Sequence, residues 1–363
     1  MAGAKPKSKA PKPKHRAGPA AREAAAFPAA SWLGFVLAIV ASAAYMWWRR
    51  ADALPAASPA GDAGPSLEEV ARRFALATGE PGAARVTRGI ASPASFLLRD
   101  LLAADEVEAL MQVLRDGWGR HEPRSKFSAT VTLDKLPALN ASAAVQALNA
   151  KLATLAGLPE THLEEGYYSV YNAGFNMDAM HLDNHHSLMV PRRSVSFVVY
   201  LQGEEQGLVG GRTVFPLAEL DGVDAATAAA VAAASRKINR TGVYSPGDKP
   251  QEGRVCARAD GSRLCRAAYA RSEQLCAAET APERLAVRAR AGDAVMFFHH
   301  DARGAEAFGA LHGSCPIREG TKVVLAKFLR TGPKPYFDEA RFTEALRYNK
   351  EQAEQRQQQQ QQR

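Results

Sequence analysis

Beyond residue 28 the chain has almost no net charge. Residues 1–28 carry Lys5, Lys7, Lys9, Lys12, Lys14, Arg16 and Arg22 against Glu23 alone, so +6 of the formal +8 sits in this tail and +2 is left for the other 335 residues. A basic surface for nucleic acid is therefore not expected on the rest of the protein. Charge is missing altogether from AASWLGFVLAIVASAAYMWW, residues 29–48. Cysteines are few, and Cys256, Cys265, Cys276 and Cys315 are even in number. No internal repeat is visible. What the chain does have is enough aliphatic residues, many of them alanine, for a sizeable core.

The charge-free run is the length that a helix needs to cross a bilayer, about 20 residues, and Trp32, Tyr45, Trp47 and Trp48 sit near its ends as an aromatic belt does. A cleaved signal peptide usually has a shorter apolar stretch followed by a small-residue cleavage site, so 29–48 is expected to be a transmembrane signal-anchor. The disordered basic tail 1–28 then lies in the cytosol, and everything from about residue 51 is lumenal, which places the protein in the endoplasmic reticulum or Golgi membrane. An oxidising lumen allows two disulfides among the four cysteines, in any of three connectivities. Asn140 and Asn239 head two sequons that become usable there.

Residues 49–94 read as a stalk and linker, with ADALPAASPAGDAGPS as its flexible part. A strand is expected over 95–102, then a helix carrying Val107, Leu110, Met111 and Leu114 on one face, and a second helix over 142–156. From Tyr167 the pattern changes to strands: YYSVY, SVSFVVYL at 194–201, AVMFF at 294–298 and KVVLAKFL at 322–329. No βαβ spacing joins them, so an antiparallel sandwich or barrel with flanking helices is expected, mainly β in an α+β arrangement. Residues 217–290 interrupt this pattern with an Ala-rich helix near 224–235 and a polar, cysteine-containing loop. The C-terminal extension, 331–363, ends in a glutamine-rich tail.

One short stretch, MHLDNHHSLM at 180–189, holds His181, Asp183, His185 and His186. In an extended segment His181 and Asp183 project to the same side, and two His with one carboxylate on one face of an octahedral metal suit non-haem Fe(II). By itself H-x-D is common. Downstream, however, GGRTVFP (210–216), GDAVMFF (292–298) and LHGSCPIREGTK (311–322) follow, with His312 ten residues before Lys322. This set resembles the catalytic domain of the prolyl 4-hydroxylase alpha-subunit family of 2-oxoglutarate/Fe(II)-dependent dioxygenases, over residues 95–330 apart from the insertion 217–290.

The resemblance implies a double-stranded β-helix, or jelly roll, that binds Fe(II) through His181, Asp183 and His312. It implies that Lys322 pairs with the distal carboxylate of 2-oxoglutarate and that Tyr171, in YNAG, contacts the same cosubstrate. L-Ascorbate keeps the iron reduced in such enzymes. The implied substrate is a protein or peptide, proline-containing, with release of succinate and CO2. His185 and His186 are at best pocket-lining, and His299 and His300 lack the spacing to a strand lysine. The segment from Tyr171 to His181 is one residue longer than the family's, and Met177 and Asp178 replace an aromatic near the substrate. The target therefore stays open between proline, lysine and a small molecule, and a catalytically silent lumenal binding protein remains a further alternative. The oligomeric state is not legible.

Overall fold

Alternating side chains in the strand-forming stretches build one large antiparallel sheet. The computed structural model describes residues 64–90, 93–176, 179–185, 189–219, 225–241, 254–257, 262–300, 307–333 and 336–337, with four isolated positions beyond. These belong to one unit, Ala57–Arg363. The run 29–48 lies outside the described residues, and among those described no helix is long and apolar enough to cross a membrane.

In chain order the strands are β1 (Val86–Arg88), β2 (Ser95–Leu98), β3 (Glu122–Ser125), β4 (Ser128–Thr132), β5 (Tyr167–Asn172), β6 (Ala179–His181), β7 (Met189–Val190), β8 (Arg193–Gln202) and β9 (Val209–Gly210). They continue with β10 (Thr213–Val214), β11 (Arg254–Ala257), β12 (Ala286–Val287), β13 (Ala294–Phe298), β14 (Gly313–Ser314), β15 (Ile317–Glu319), β16 (Thr321–Arg330) and β17 (Tyr336–Phe337). The large sheet has the order β1-β2-β13-β8-β16-β5-β4-β3. The small sheet is assembled from β12-β10-β14 and β11-β6, joined by an antiparallel bridge between His181 and His312. The molecule is thus mostly antiparallel β with helices, consistent with the expected jelly-roll-like arrangement, and a cavity lies between residues of the two sheets.

Helices α1 (Leu67–Thr78), α2 (Ala104–Gly117) and α3 (Ala143–Ala156) cover the outer face of the large sheet. Val70, Phe74, Leu110, Leu114, Leu148 and Leu152 bury there against Phe96, Phe197, Met296 and Leu325. Glu106 couples α2 to α3, accepting from the Ala103 N–H (3.0 Å) and from Lys151 Nζ (2.6 Å). The strand at 322–329 is buried on both faces, as its sequence indicates. Val323, Leu325 and Leu329 meet the helices, while Val324 faces the second core.

Two expectations need correction. The stalk and linker assigned to 49–94 gives way at Ser66, whose hydroxyl accepts from the Glu69 N–H and caps α1. Val70 and Phe74, one turn apart, are fully buried, and β1 pairs with β2. The domain therefore starts well before residue 95. The strand expected to run to 102 stops at Leu98, because Asp100 takes up φ 48° and its N–H bonds Asp293 Oδ1 at 2.8 Å. The insertion 217–290 is packed into the domain in its described parts. It supplies β11 and β12, the two outer strands of the small sheet. It also supplies α4 (Ala225–Thr241) and α5 (Arg263–Ala277). Val231, Leu264, Ala268 and Tyr269 from these helices bury in one cluster with Tyr200, Phe215 and Phe297. Two disulfides, Cys256–Cys265 and Cys276–Cys315, leave no free cysteine.

Candidate metal and cosubstrate site

His181 ends β6 and His312 immediately precedes β14, and the two are direct backbone partners. The His181 N–H donates to the His312 carbonyl at 3.0 Å, and the His312 N–H returns to the His181 carbonyl at 3.1 Å. This exchange brings together two residues far apart in sequence with their rings 4.3 Å apart. Asp183 follows on a short 3-10 turn, Asp183–His185, and its Oδ1 lies 3.3 Å from His181 Nε2 and 3.7 Å from His312 Nε2. One donor atom from each residue falls within 4.8 Å of the others. Asp183 and His312 are buried, whereas the His181 side chain is 37% exposed, so the cluster opens on the His181 side.

The protonation states suit a metal. Burial pulls His312 down to about 4, against the opposing pull of Asp183, so its imidazole is neutral at physiological pH. Its Nδ1–H donates to the Ala310 carbonyl at 3.0 Å, which leaves the Nε2 lone pair facing the cluster. Burial acts to raise the Asp183 carboxyl, but His312 and His181 beside it outweigh that and hold it well below the ordinary carboxylate range. Two imidazoles and one carboxylate are a donor set for divalent iron.

A cavity of about 190 Å³ adjoins the cluster and runs to Lys322. Tyr167, Ser169 and Tyr171 of β5, Val198 of β8, and Val324 and Ala326 of β16 line one wall, with Thr213, Gly313 and Ser314 on the other. Lys322 is 2% exposed. Its Nζ donates to Gly211 O (2.7 Å), Ser314 Oγ (3.1 Å) and Thr213 Oγ1 (3.3 Å). Gly210 and Gly211 turn the chain at φ 95° and 67°, and a Cβ at Gly210 would come within 2.2 Å of Pro316 O. Only glycine can present that carbonyl there. No carboxylate forms an ion pair with Lys322 among the described residues, and burial pulls its ammonium down to about 7. Tyr171 lies beside it, with Nζ 5.8 Å from the ring centroid.

The remaining histidines are elsewhere. His299 is buried, with Nε2 2.9 Å from Ser196 Oγ, and burial pulls it down to about 3. His300 Nε2 lies 3.4 Å from Asn184 Nδ2. Neither joins the donor cluster. The His185 side chain, His186, Met177 and Asp178 lie outside the described residues.

Several residues at this site were not singled out from the sequence. Thr213 and Ser314, which cradle Lys322, lie inside the GGRTVFP and HGSCPIREGTK stretches, where a small hydroxyl residue gives little warning of its role. Arg193 and Glu164 are less legible still. Arg193 donates through Nη1 to the Asp183 carbonyl (2.9 Å) and through Nε and Nη2 to the two Glu164 oxygens (2.7 and 2.6 Å). Its guanidinium also sits 3.7 Å over the Phe328 ring. Arg330 Nε pairs with the same carboxylate at 2.8 Å. The only sequence signal is a charge heading the apolar run RSVSFVVYL.

No family model matches the chain, and no curated protein matches its sequence. The chain is similar in structure to a viral collagen prolyl hydroxylase from Paramecium Bursaria Chlorella virus-1 in complex with 2OG, at 13% identity over 65% of this chain and 94% of that one, TM-score 0.37. It is also similar to a Pseudomonas putida prolyl-4-hydroxylase, at 17% identity over 71% and 98%, TM-score 0.36. A third similar structure is EvdO2 from Micromonospora carbonacea var. aurantiaca complexed with 2-oxoglutarate, at 13% identity over 76% and 95%, TM-score 0.38.

Proposed function

We propose that the protein is an Fe(II)- and 2-oxoglutarate-dependent dioxygenase that hydroxylates peptidyl proline. The observation that carries this reading is the pairing, in one cavity, of a His–Asp–His donor cluster with a buried lysine that has no counter-charge among the described residues. A buried ammonium is costly without an anion, and the distal carboxylate of 2-oxoglutarate is an anion that suits the cavity between Lys322 and the cluster. Fe(II) held by His181, Asp183 and His312 supplies activation of O2, one atom leaving in succinate as CO2 is released and the other entering a substrate C–H bond.

The chain's own residues bind and orient. Asp183 offsets one of the two metal charges, and the two imidazole ligands add none. Lys322 fixes the far end of the oxo-acid by a charge-assisted hydrogen bond, with Tyr171 packed beside it, and Val324 and Ala326 keep the wall between them apolar. Ascorbate is the proposed reductant that returns oxidised iron to Fe(II).

The proposal extends to place. The charge-free run 29–48 and the asymmetric basic tail support a single-pass anchor with the catalytic domain in the lumen of the endoplasmic reticulum or Golgi. Two disulfides support an oxidising compartment. Protease protection in microsomes tests this placement, and digestion of the catalytic domain from the cytosolic side would overturn it. Function is tested by succinate release over a panel of polyproline, collagen-like and lysine-containing peptides, with the added oxygen located by mass. Turnover with hydroxylation at lysine would retain the cofactors and replace the substrate. Metal-loaded protein that consumes no 2-oxoglutarate would leave a binding role instead.

A further inference from the structure

The small sheet that carries the metal ligands is poorly held by its own hydrogen bonds. Its strands β6, β10, β12 and β14 are two or three residues long, against roughly five or six in an ordinary strand. His181 and His312 meet across a single isolated bridge. Something other than the ladder has to keep the two ligand strands together.

Helix α5, within the insertion, reaches both of them. At its N-terminal end Cys265 is bonded to Cys256 of β11, the strand that pairs with β6 so that Arg254 stands opposite His181 and Cys256 opposite Met180. In its middle, the Tyr269 hydroxyl donates to the Cys256 carbonyl at 3.2 Å, and the Ser272 hydroxyl donates to Met180 Sδ at 3.6 Å. At its C-terminal end Cys276 is bonded to Cys315, three residues after His312. Cys256, Cys265 and Cys315 are buried. Arg212 adds a last link, since its Nη1 donates to the Ala278 carbonyl just past the helix while its own carbonyl accepts from the Cys315 N–H. Cys265 and Cys276 stand eleven positions apart on a rigid rod, about 16 Å at 1.5 Å per residue. One helix is therefore covalently fastened beside each ligand strand.

We infer that α5 is a staple that positions the metal site, with Cys256–Cys265 holding the His181 strand and Cys276–Cys315 holding the His312 strand at a fixed separation. The inference rests on the metal reading proposed above. It gives the insertion a role as a positioning element and makes both disulfides determinants of metal affinity.

The test is Co(II) binding to the full chain, followed by chelator competition and by the visible absorption of the bound ion. The paired substitutions Cys256→Ser with Cys265→Ser, and Cys276→Ser with Cys315→Ser, are each expected to weaken Co(II) roughly tenfold or more, as loss of an outer support does elsewhere. The second pair should also alter the absorption spectrum, because His312 is then free to shift. Phe74→Leu, on α1 behind the large sheet, serves as a destabilised control and should bind Co(II) as the wild type does. Wild-type affinity in both folded Cys variants, or an equal loss in Phe74→Leu, would overturn the inference. Should neither Cys variant fold, Tyr269→Phe with Ser272→Ala breaks contacts of the staple without touching a disulfide. That variant is expected to lose about two- to threefold in affinity, and unchanged affinity would count against the staple. Wild-type protein that binds no Co(II) would remove the metal reading as well, so the two failures are distinguishable.

Discussion

Two buried lysines on one strand show how the two faces of the large sheet differ. Lys327, on the face toward the helices, is fully buried and donates to the Glu165 carbonyl at 2.6 Å. Burial pulls it down to about 8, with Glu165 and Glu164 acting the other way. Lys322, five residues earlier on the cavity face, has three neutral oxygens around it and no acidic neighbour opposing its descent to about 7. Lys327 is fully buried with negative charge nearby. Lys322 has a 190 Å³ cavity and no anion among the described residues. The first is a finished structural tether, and the second is a half-made ion pair that awaits its partner.

The sharpest way to break this contrast is at the metal cluster that shares the cavity. His181→Ala, Asp183→Ala or His312→Ala each removes one of three donors, and metal-dependent turnover should fall below detection, with Co(II) affinity down by more than about 100-fold. His300→Ala should retain activity, and His299→Ala should cost stability, about 1–3 kcal/mol from the stranded Ser196 hydroxyl, while still binding metal. An active His312→Ala beside a dead His300→Ala would show that the distal ligand is misassigned.

Next in size is the lysine pair itself. Lys322→Ala should raise the apparent KM for 2-oxoglutarate roughly 30-fold or more, the effect of truncating one partner of a buried charge pair, with Co(II) affinity little changed. Lys322→Arg should rescue only in part, because a planar fork cannot occupy the pocket of an ammonium. Lys327→Met should do the reverse, lowering the unfolding midpoint and leaving KM alone. Equal effects of the two substitutions on KM would erase the distinction between the faces.

Glu164→Gln should weaken Co(II) binding about tenfold, since Arg193 then loses the carboxylate that aims it at the Asp183 carbonyl. Arg193→Lys should not restore it, having no fork to span both partners.

The smallest expected effect is a proton. Free Lys322 titrates near 7, and an anion beside it raises that value. Binding of 2-oxoglutarate at pH 8 should therefore take up a fraction approaching one proton, and at pH 6 almost none. Calorimetry in buffers of different ionisation enthalpy measures the uptake, which Lys322→Ala should abolish. The apparent affinity should weaken as pH rises above about 7.

Much of this architecture is legible in the chain, because burial on one or both faces leaves a period in the residues. The strands at 167–171, 194–201, 294–298 and 322–329 and the helices carrying Leu110 and Leu148 fall where the pattern puts them. Helix α1 was available too: Ser66 with Glu69, Val70 and Phe74 one turn apart, and Gly79 at φ 79° form a start, a face and a stop. The Pro/Ala-rich stretch before it masks that pattern. What the chain does not display is partnership across long distances. Nothing local in Cys256 selects Cys265 over Cys315, nothing in RVCA says that it will lie against His181, and Glu164 carries no mark of Arg193. Those choices are made by the packed core, after the local elements exist.

The reciprocal hydrogen bonds between His181 and His312 carry a consequence for folding. Side chains on a strand alternate faces, so a slip of one residue in this pairing would turn one of the two imidazoles away from Asp183. The ability to hold a divalent ion is then a readout of strand alignment, accurate to a single residue across some 130 intervening positions. A bound metal would act as a checkpoint on assembly, rewarding the one alignment that presents all three donors, and length changes in the intervening segments would be invisible to it so long as these two residues still met.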